Sequence, residues 1–225
     1  QAAKAARWHK LPLIGWFYDW FPIMQGYYGH AGTRTRLSRR FRKLYQQCDL
    51  AICISEGMKN ALGSHPNSHV IYPILGNHKI PDKVFPPKTD KFRLVYVGSV
   101  EFFYGRAICS LIEKLESVRG IEIIVVGPRA DWPKEILQRA KDKGIYLGFK
   151  PPEEAAAVLA GADALLVVMS FESQYRLFME TSFTTKLADY TSFGKPIVFW
   201  GPEYCAPVRL LRREGTSTSS LSHGS

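Results

Sequence analysis

The chain has 225 residues, 46% of them hydrophobic, and 30 Lys and Arg against 20 Asp and Glu, for a formal charge of +10. That apolar content excludes a wholly disordered chain and is enough to bury one large core or two smaller ones. The positive balance points to an anionic partner, whether nucleic acid, acidic lipid headgroups or a phosphorylated substrate, without choosing among them.

Apolar stretches such as residues 162–169 are far shorter than the roughly 20 residues a membrane-crossing helix needs. No signal-peptide pattern stands at the start, so a soluble, cytoplasmic protein is expected. Cys48, Cys53, Cys109 and Cys205 form no CxxC pair and have no histidine cluster beside them. Reduced, mostly buried thiols are expected, with neither zinc nor a disulfide framework. The first residue is Gln1, and residues 215–225 are rich in Ser, Thr and Gly, which leads to the expectation of a fragment with a disordered, non-native tail.

In chain order, residues 11–17 and 50–54 read as buried strands separated by a basic helix over about 35–47, with a further helix at 55–62. The next stretch carries Pro73, Pro81, Pro86 and Pro87 and little periodicity, which predicts an extended connection and a domain boundary near Lys91. From there β-branched runs alternate with amphipathic ones, the pattern of βαβ units around a parallel sheet. Strands are predicted at 93–97, 122–126, 145–147, 164–169 and 196–200, and helices at 107–118, 134–143, 152–160 and 185–193, the last capped by Gly194. The expected organisation is therefore 1–90, 91–214 and a tail at 215–225, an α/β fold whose second part is one doubly wound domain lacking its last helices.

Open parallel sheets bind ligands beyond the carboxyl ends of their strands. The loops at Gly98, Gly127 and Gly148 and the one after Met169 should therefore line one crevice. The last is the richest in chemistry: Ser170-Phe171-Glu172, then Ser182-Phe183-Thr184-Thr185-Lys186-Leu187-Ala188-Asp189-Tyr190, then Gly194-Lys195-Pro196-Ile197. Hydroxyls and a lysine at a helix start suit a diphosphate, because the first backbone N–H groups there lack partners. Asp189, one turn on, shares that face with Lys186. The bland alternative is a simple helix cap with a solvated lysine.

This segment resembles the donor-binding motif of glycosyltransferase family four and its relatives, which commonly read Ser-Phe-Pro-Thr-Lys-Leu, an acidic-Tyr pair, then Gly-Lys-Pro. The likeness extends to Cys48-Asp49-Leu50-Ala51-Ile52-Cys53-Ile54-Ser55-Glu56, to the strand ending at Gly98, and to Gly161-Ala162-Asp163-Ala164-Leu165-Leu166. It implies a GT-B-like fold of two Rossmann-type parallel-sheet domains, the N-terminal one incomplete. It further implies a hexosyltransferase that moves a sugar from a nucleoside-diphosphate-sugar, a substrate and not a cofactor, to a glycan or lipid-linked hydroxyl acceptor in polysaccharide or glycolipid synthesis. By the same resemblance Ser182, Thr184, Thr185 and Lys186 hold the diphosphate, Asp189 stands near the ribose, and Phe149 lies at the base. Gly98 and Ser99, with Glu172, complete the donor set, Gly98 letting the phosphates approach closely. Thr184 replaces the usual proline, Asp189 is shorter than glutamate, and Ser99 stands where many members have arginine. The seven residues between Glu172 and Glu180 match a family glutamate pair by coincidence, because the segment after Glu180 does not fit.

No Asp-x-Asp metal clamp follows a strand, so metal-independent catalysis with no cofactor is expected, Lys186 meeting the charge that develops on the leaving diphosphate. Retention of configuration is implied by the resemblance alone. On the acceptor side Asp19, after a strand, is the candidate base, with His30 as its rival. The aromatic residues from Trp16 to Phe21 read as packing more than as a sugar platform. Arg34, Arg36, Arg39, Arg40, Arg42 and Lys43, interleaved with Leu37, Phe41 and Leu44, form an amphipathic basic helix. It is either a solvated face or a surface for anionic lipid at the inner membrane leaflet; nucleic acid is not expected, for want of a base-reading module. The rival functions are a nucleotide-sugar epimerase on the same architecture and a non-catalytic nucleotide- or nucleic-acid-binding module.

Overall fold

A computed structural model of the protein describes residues 2–22, 31–74, 80–81 and 84–215. Its chain divides into two compact units. The first is Gln1–Pro73 with Ser173–Phe183 and Tyr204–Leu210; the second is Ile74–Glu172 with Thr184–Glu203 and Leu211–Ser225. The second unit thus begins ahead of the boundary expected near Lys91, and two later segments of the chain belong with the first.

In the first unit, α1 (Ala2–Trp8) precedes β1 (Ile14–Phe17), α2 (Ala31–Tyr45), β2 (Leu50–Cys53), α3 (Glu56–Leu62) and β3 (Ser68–Val70). The strands form one parallel sheet in the order β1-β2-β3. Phe17 meets Phe41 and Tyr45 of α2 edge-on, both at 5.3 Å between ring centroids. Arg42 Nε reaches the carbonyl of Ala61 at 2.9 Å, so α2 and α3 lie side by side. Ser55 caps α3, accepting from Met58 N at 2.9 Å and donating to the carbonyl of Thr181. Thr181 ends α7 (Arg176–Thr181), which is not among the helices predicted from the sequence. Gly57 allows the packing, since a Cβ there would overlap the carbonyl of Glu180.

The second unit runs β4 (Phe92–Val97), α4 (Phe102–Leu115), β5 (Ile121–Val126), α5 (Lys134–Asp142), α6 (Pro152–Ala160), β6 (Ala164–Val168), α8 (Thr185–Thr191) and β7 (Ile197–Trp200). Helix α9 (Ala206–Arg213) begins in the first unit and ends in the second. All pairing in the sheet is parallel, in the order β5-β4-β6-β7. Every residue of β6 is buried, as its unbroken apolar run requires. The strand expected at 145–147 reduces to a single bridge between Val125 and Tyr146, because Gly144 and Gly148, both at positive φ, leave it too short to extend. All four cysteines are free and buried, as expected. Among the described residues no helix is long and apolar enough to cross a membrane.

Candidate functional site

In the second unit the chain starts in the middle of the sheet, moves out to β5, then reverses to β6 and β7. The reversal lies between β4 and β6, the place where open α/β sheets hold ligands. The ladder there is short. β4 pairs with β5 over its whole length, from Phe92 to Val97, but with β6 only at Leu94 and Val95. The two strands therefore part before their carboxyl ends.

Tyr190 of α8 fits where they part. Its hydroxyl accepts from Val97 N at 3.0 Å and donates to Val97 O at 3.2 Å. Burial holds its phenol protonated far above ordinary pH. This bond fixes α8 against the end of β4, and so fixes Lys186, one turn upstream on the same helix. Gly98, with φ +151°, follows directly, and the place its Cβ would fill is taken by Lys186 Cε and Nζ. The glycine therefore makes room first for the lysine.

Lys186 Nζ lies 5.4 Å from the ring centre of Tyr96 and 5.3 Å from that of Tyr104. Among the described residues no carboxylate forms an ion pair with it. Desolvation lowers its pKa from the ordinary lysine value, and the charge of Asp189 pulls the other way. The result is a half-buried cation with no ion-paired carboxylate among the described residues, at the carboxyl ends of parallel strands. The surrounding loops are tied to one another: Gly98 N donates to Val126 O at 2.9 Å, Gly127 N to Gly148 O at 3.0 Å, and Tyr96 Oη to Ser99 O at 2.6 Å.

The sequence-predicted residues separate by unit. Gly98, Ser99, Phe149, Glu172, Thr184, Thr185, Lys186 and Asp189 all belong to the second. Ser99 and Thr185 are exposed, and Phe149 is 68% exposed after Gly148. Thr184 stands at the N-cap of α8 without a side-chain capping bond, and α8 has 7 residues. Glu172, after β6, accepts from Arg106 Nε of α4 at 2.8 Å. Ser182 belongs to the first unit, buried, its Oγ without a hydrogen-bond partner in the described residues. Glu180, also there, pairs with Arg176 at 2.9 Å and lies 3.9 Å from Arg209, a structural role that accounts for it without a ligand. Asp19 is exposed in the first unit, two residues past β1, its carbonyl accepting from Phe21 N at 2.7 Å. His30 lies outside the described residues. Tyr96, Tyr104 and Arg106 took no part in the sequence-based site, and Tyr190 entered it only as the tyrosine of the acidic-Tyr pair; each acts through a contact across more than 60 residues that no local spacing signals.

Solved structures resemble this architecture. Alr3699/HepE from Anabaena in complex with UDP-glucose superimposes with a TM-score of 0.64 at 16% identity, covering 99% of this chain and 61% of that one. HepE in complex with UDP gives 0.55 at 16% identity, over 94% and 64%. Sucrose-phosphate synthase from Thermosynechococcus elongatus gives 0.54 at 13%, over 84% and 50%. The fold is GT-B-like. The GT-B-like chain spans half to two thirds of the length of these structures. No protein-family model matches it. No curated protein matches it either.

Proposed function

We propose that the second unit is the donor-binding half of a glycosyltransferase that moves a sugar from a nucleoside-diphosphate-sugar to a hydroxyl acceptor in polysaccharide or glycolipid synthesis. The observation that carries this is Lys186, a half-buried ammonium with no ion-paired carboxylate among the described residues, at the reversal point of a parallel sheet. Such a cation is unfavourable on its own and becomes favourable when an anion arrives. Support for the class of anion comes from the HepE structures, which hold UDP and UDP-glucose on a similar fold.

When the bond between the anomeric carbon and the diphosphate oxygen breaks, its electron pair stays on the leaving phosphate. Lys186, positioned beforehand, stabilises that added charge more than the ground state. A lysine so placed takes the electrostatic part a divalent cation would otherwise play, which is the reason to propose metal independence. Glu172, tied by Arg106, stands beyond β6 to accept hydrogen bonds from the sugar hydroxyls. Phe149 offers an exposed ring for the base, and Asp189 a carboxylate for the ribose. Asp19 is the proposed base for the acceptor hydroxyl, and retention of configuration is the proposed outcome.

A basic surface favours a second element of this reading. Arg36, Arg39, Arg40 and Lys43 are all exposed on α2, at helical spacings that place them on one stripe, and no acidic residue occurs between Asp19 and Asp49. Such a stripe suits anionic lipid headgroups and a lipid-linked acceptor.

Calorimetric titration with UDP tests the donor site. Lys186→Ala is expected to weaken binding about 10- to 100-fold, as for loss of a contact to a charged group, and EDTA to change nothing. Undiminished binding by the variant would remove the basis for the assignment. Product analysis with UDP-glucose separates transfer, which yields a glycoside, from epimerisation, which does not.

A further inference from the structure

An ammonium withdrawn from water ordinarily needs a carboxylate or a set of carbonyls around it. Around Lys186 the described residues supply the faces of two aromatic rings, Tyr96 from β4 and Tyr104 from α4, while the Asp189 carboxylate acts on it only through its charge, with no ion pair. We propose that the faces of these two tyrosines are the resting counter-group of Lys186, and that Tyr104 is a positioning residue which holds the lysine ready for a nucleoside diphosphate. The inference rests on the donor-site reading of Lys186 and extends it to residues that touch no substrate.

The two rings are themselves fixed. Tyr96 is wholly buried and its hydroxyl is committed to the carbonyl of Ser99 at 2.6 Å. Tyr104 sits in the first turn of α4, which is pressed onto the preceding turn. A Cβ on neighbouring Gly105 would stand only 2.5 Å from Val100 O and 2.7 Å from Asp131 Oδ1. Asp131 Oδ2 also accepts from Phe102 N at 2.8 Å, and Trp132 Nε1 donates to Val100 O at 2.9 Å. The start of α4 is thereby held in place, and Tyr104 with it.

The choice of rings over a carboxylate has a chemical consequence. The negative face of an aromatic ring attracts an ammonium enough to orient it. It does not neutralise the charge, and a phosphate competes with it easily. A carboxylate in the same place would have to be displaced, or would repel the incoming diphosphate. With the rings, the cation is confined near Gly98 and its full charge stays available.

A double-mutant cycle on UDP binding tests this. Tyr104→Leu is expected to weaken binding by about tenfold, and Tyr104→Phe, which keeps the ring, by no more than about twofold. In a Lys186→Ala background Tyr104→Leu is expected to cost nothing further, because the residue acts through the lysine. Wild-type affinity in Tyr104→Leu, or an equal loss in both backgrounds, overturns the proposal. Should Tyr104→Leu fail to fold by circular dichroism, Tyr104→Met carries the same expectations. If Lys186→Ala itself binds UDP like the wild type, the donor-site reading fails; if only the Tyr104 variants are silent, that reading stands and the ring cage falls.

Discussion

The two sheets of this protein are built from the same parallel βαβ steps and end up differently covered. In the first unit β1, β2 and β3 follow one another in one direction across the sheet, and right-handed crossovers then place α2 and α3 on the same face. On the opposite face Ile14 and Trp16 are each 62% exposed among the described residues, whereas Phe17 is buried. In the second unit the direction reverses after β5, so helices fall on both faces and β6 is buried throughout. The same reversal parts β4 from β6 and makes the place for Lys186. One topological choice thus supplies both the second apolar layer and the site.

The largest effect expected from this comparison is at β6. Leu166→Ala, at a fully buried position, should cost about 3 kcal/mol in chemical denaturation. A loss below about 1 kcal/mol would mean that the second sheet is not packed as described. Gly98→Ala comes next, by roughly 1–2 kcal/mol, from its positive φ and from the lysine it would push aside. The variant should also bind UDP more weakly, whereas a purely local strain would leave affinity alone.

A smaller effect sharpens the likeness between the sheets. Asp163, just before β6, accepts from Arg93 N at 2.8 Å, as Asp49, just before β2, accepts from Leu13 N at 2.7 Å. The Lys88 ammonium, then the Arg93 N–H, hold the Asp163 carboxyl below its ordinary pKa. A carboxyl depressed in the folded state stabilises above its unfolded pKa and loses that contribution as pH falls through the folded one. The stability difference between wild type and Asp163→Asn should therefore be full at neutral pH and close below about pH 4. A difference independent of pH would assign it to the hydrogen bonds alone. Smallest of all, Ile14→Ala, at an exposed position, should change stability by no more than about 0.5 kcal/mol.

The second unit was legible in the sequence because its strands are long apolar runs between glycines. Residues 164–169 and 122–126 announce themselves, and helix 152–160 agrees with α6 end to end. β3 was not legible: Ser68–Val70 is three residues with one apolar side chain, and it exists only because β2 offers a partner. α7 was hidden because Arg176 and Glu180 look like a loop until their ion pair and the contact with α3 are seen. In the site, the lysine motif pointed to Lys186. The rings around it come from 90 and 82 positions away, a distance at which spacing carries no information. Ser182, four residues before Lys186, went with the other unit, since chain proximity says nothing about which core a side chain joins.

The hydroxyl of Tyr190 can be seen as a prosthetic strand. Where β4 and β6 diverge, one N–H and one C=O of Val97 lose the neighbour that would complete their ladder, and a single phenol answers both. The aperture of the crevice is accordingly gauged by the span of one side chain anchored on α8. Removing that oxygen would leave two orphaned backbone groups at the rim of the opening, so the gap between the strands and the grip on the lysine-bearing helix are held by the same atom.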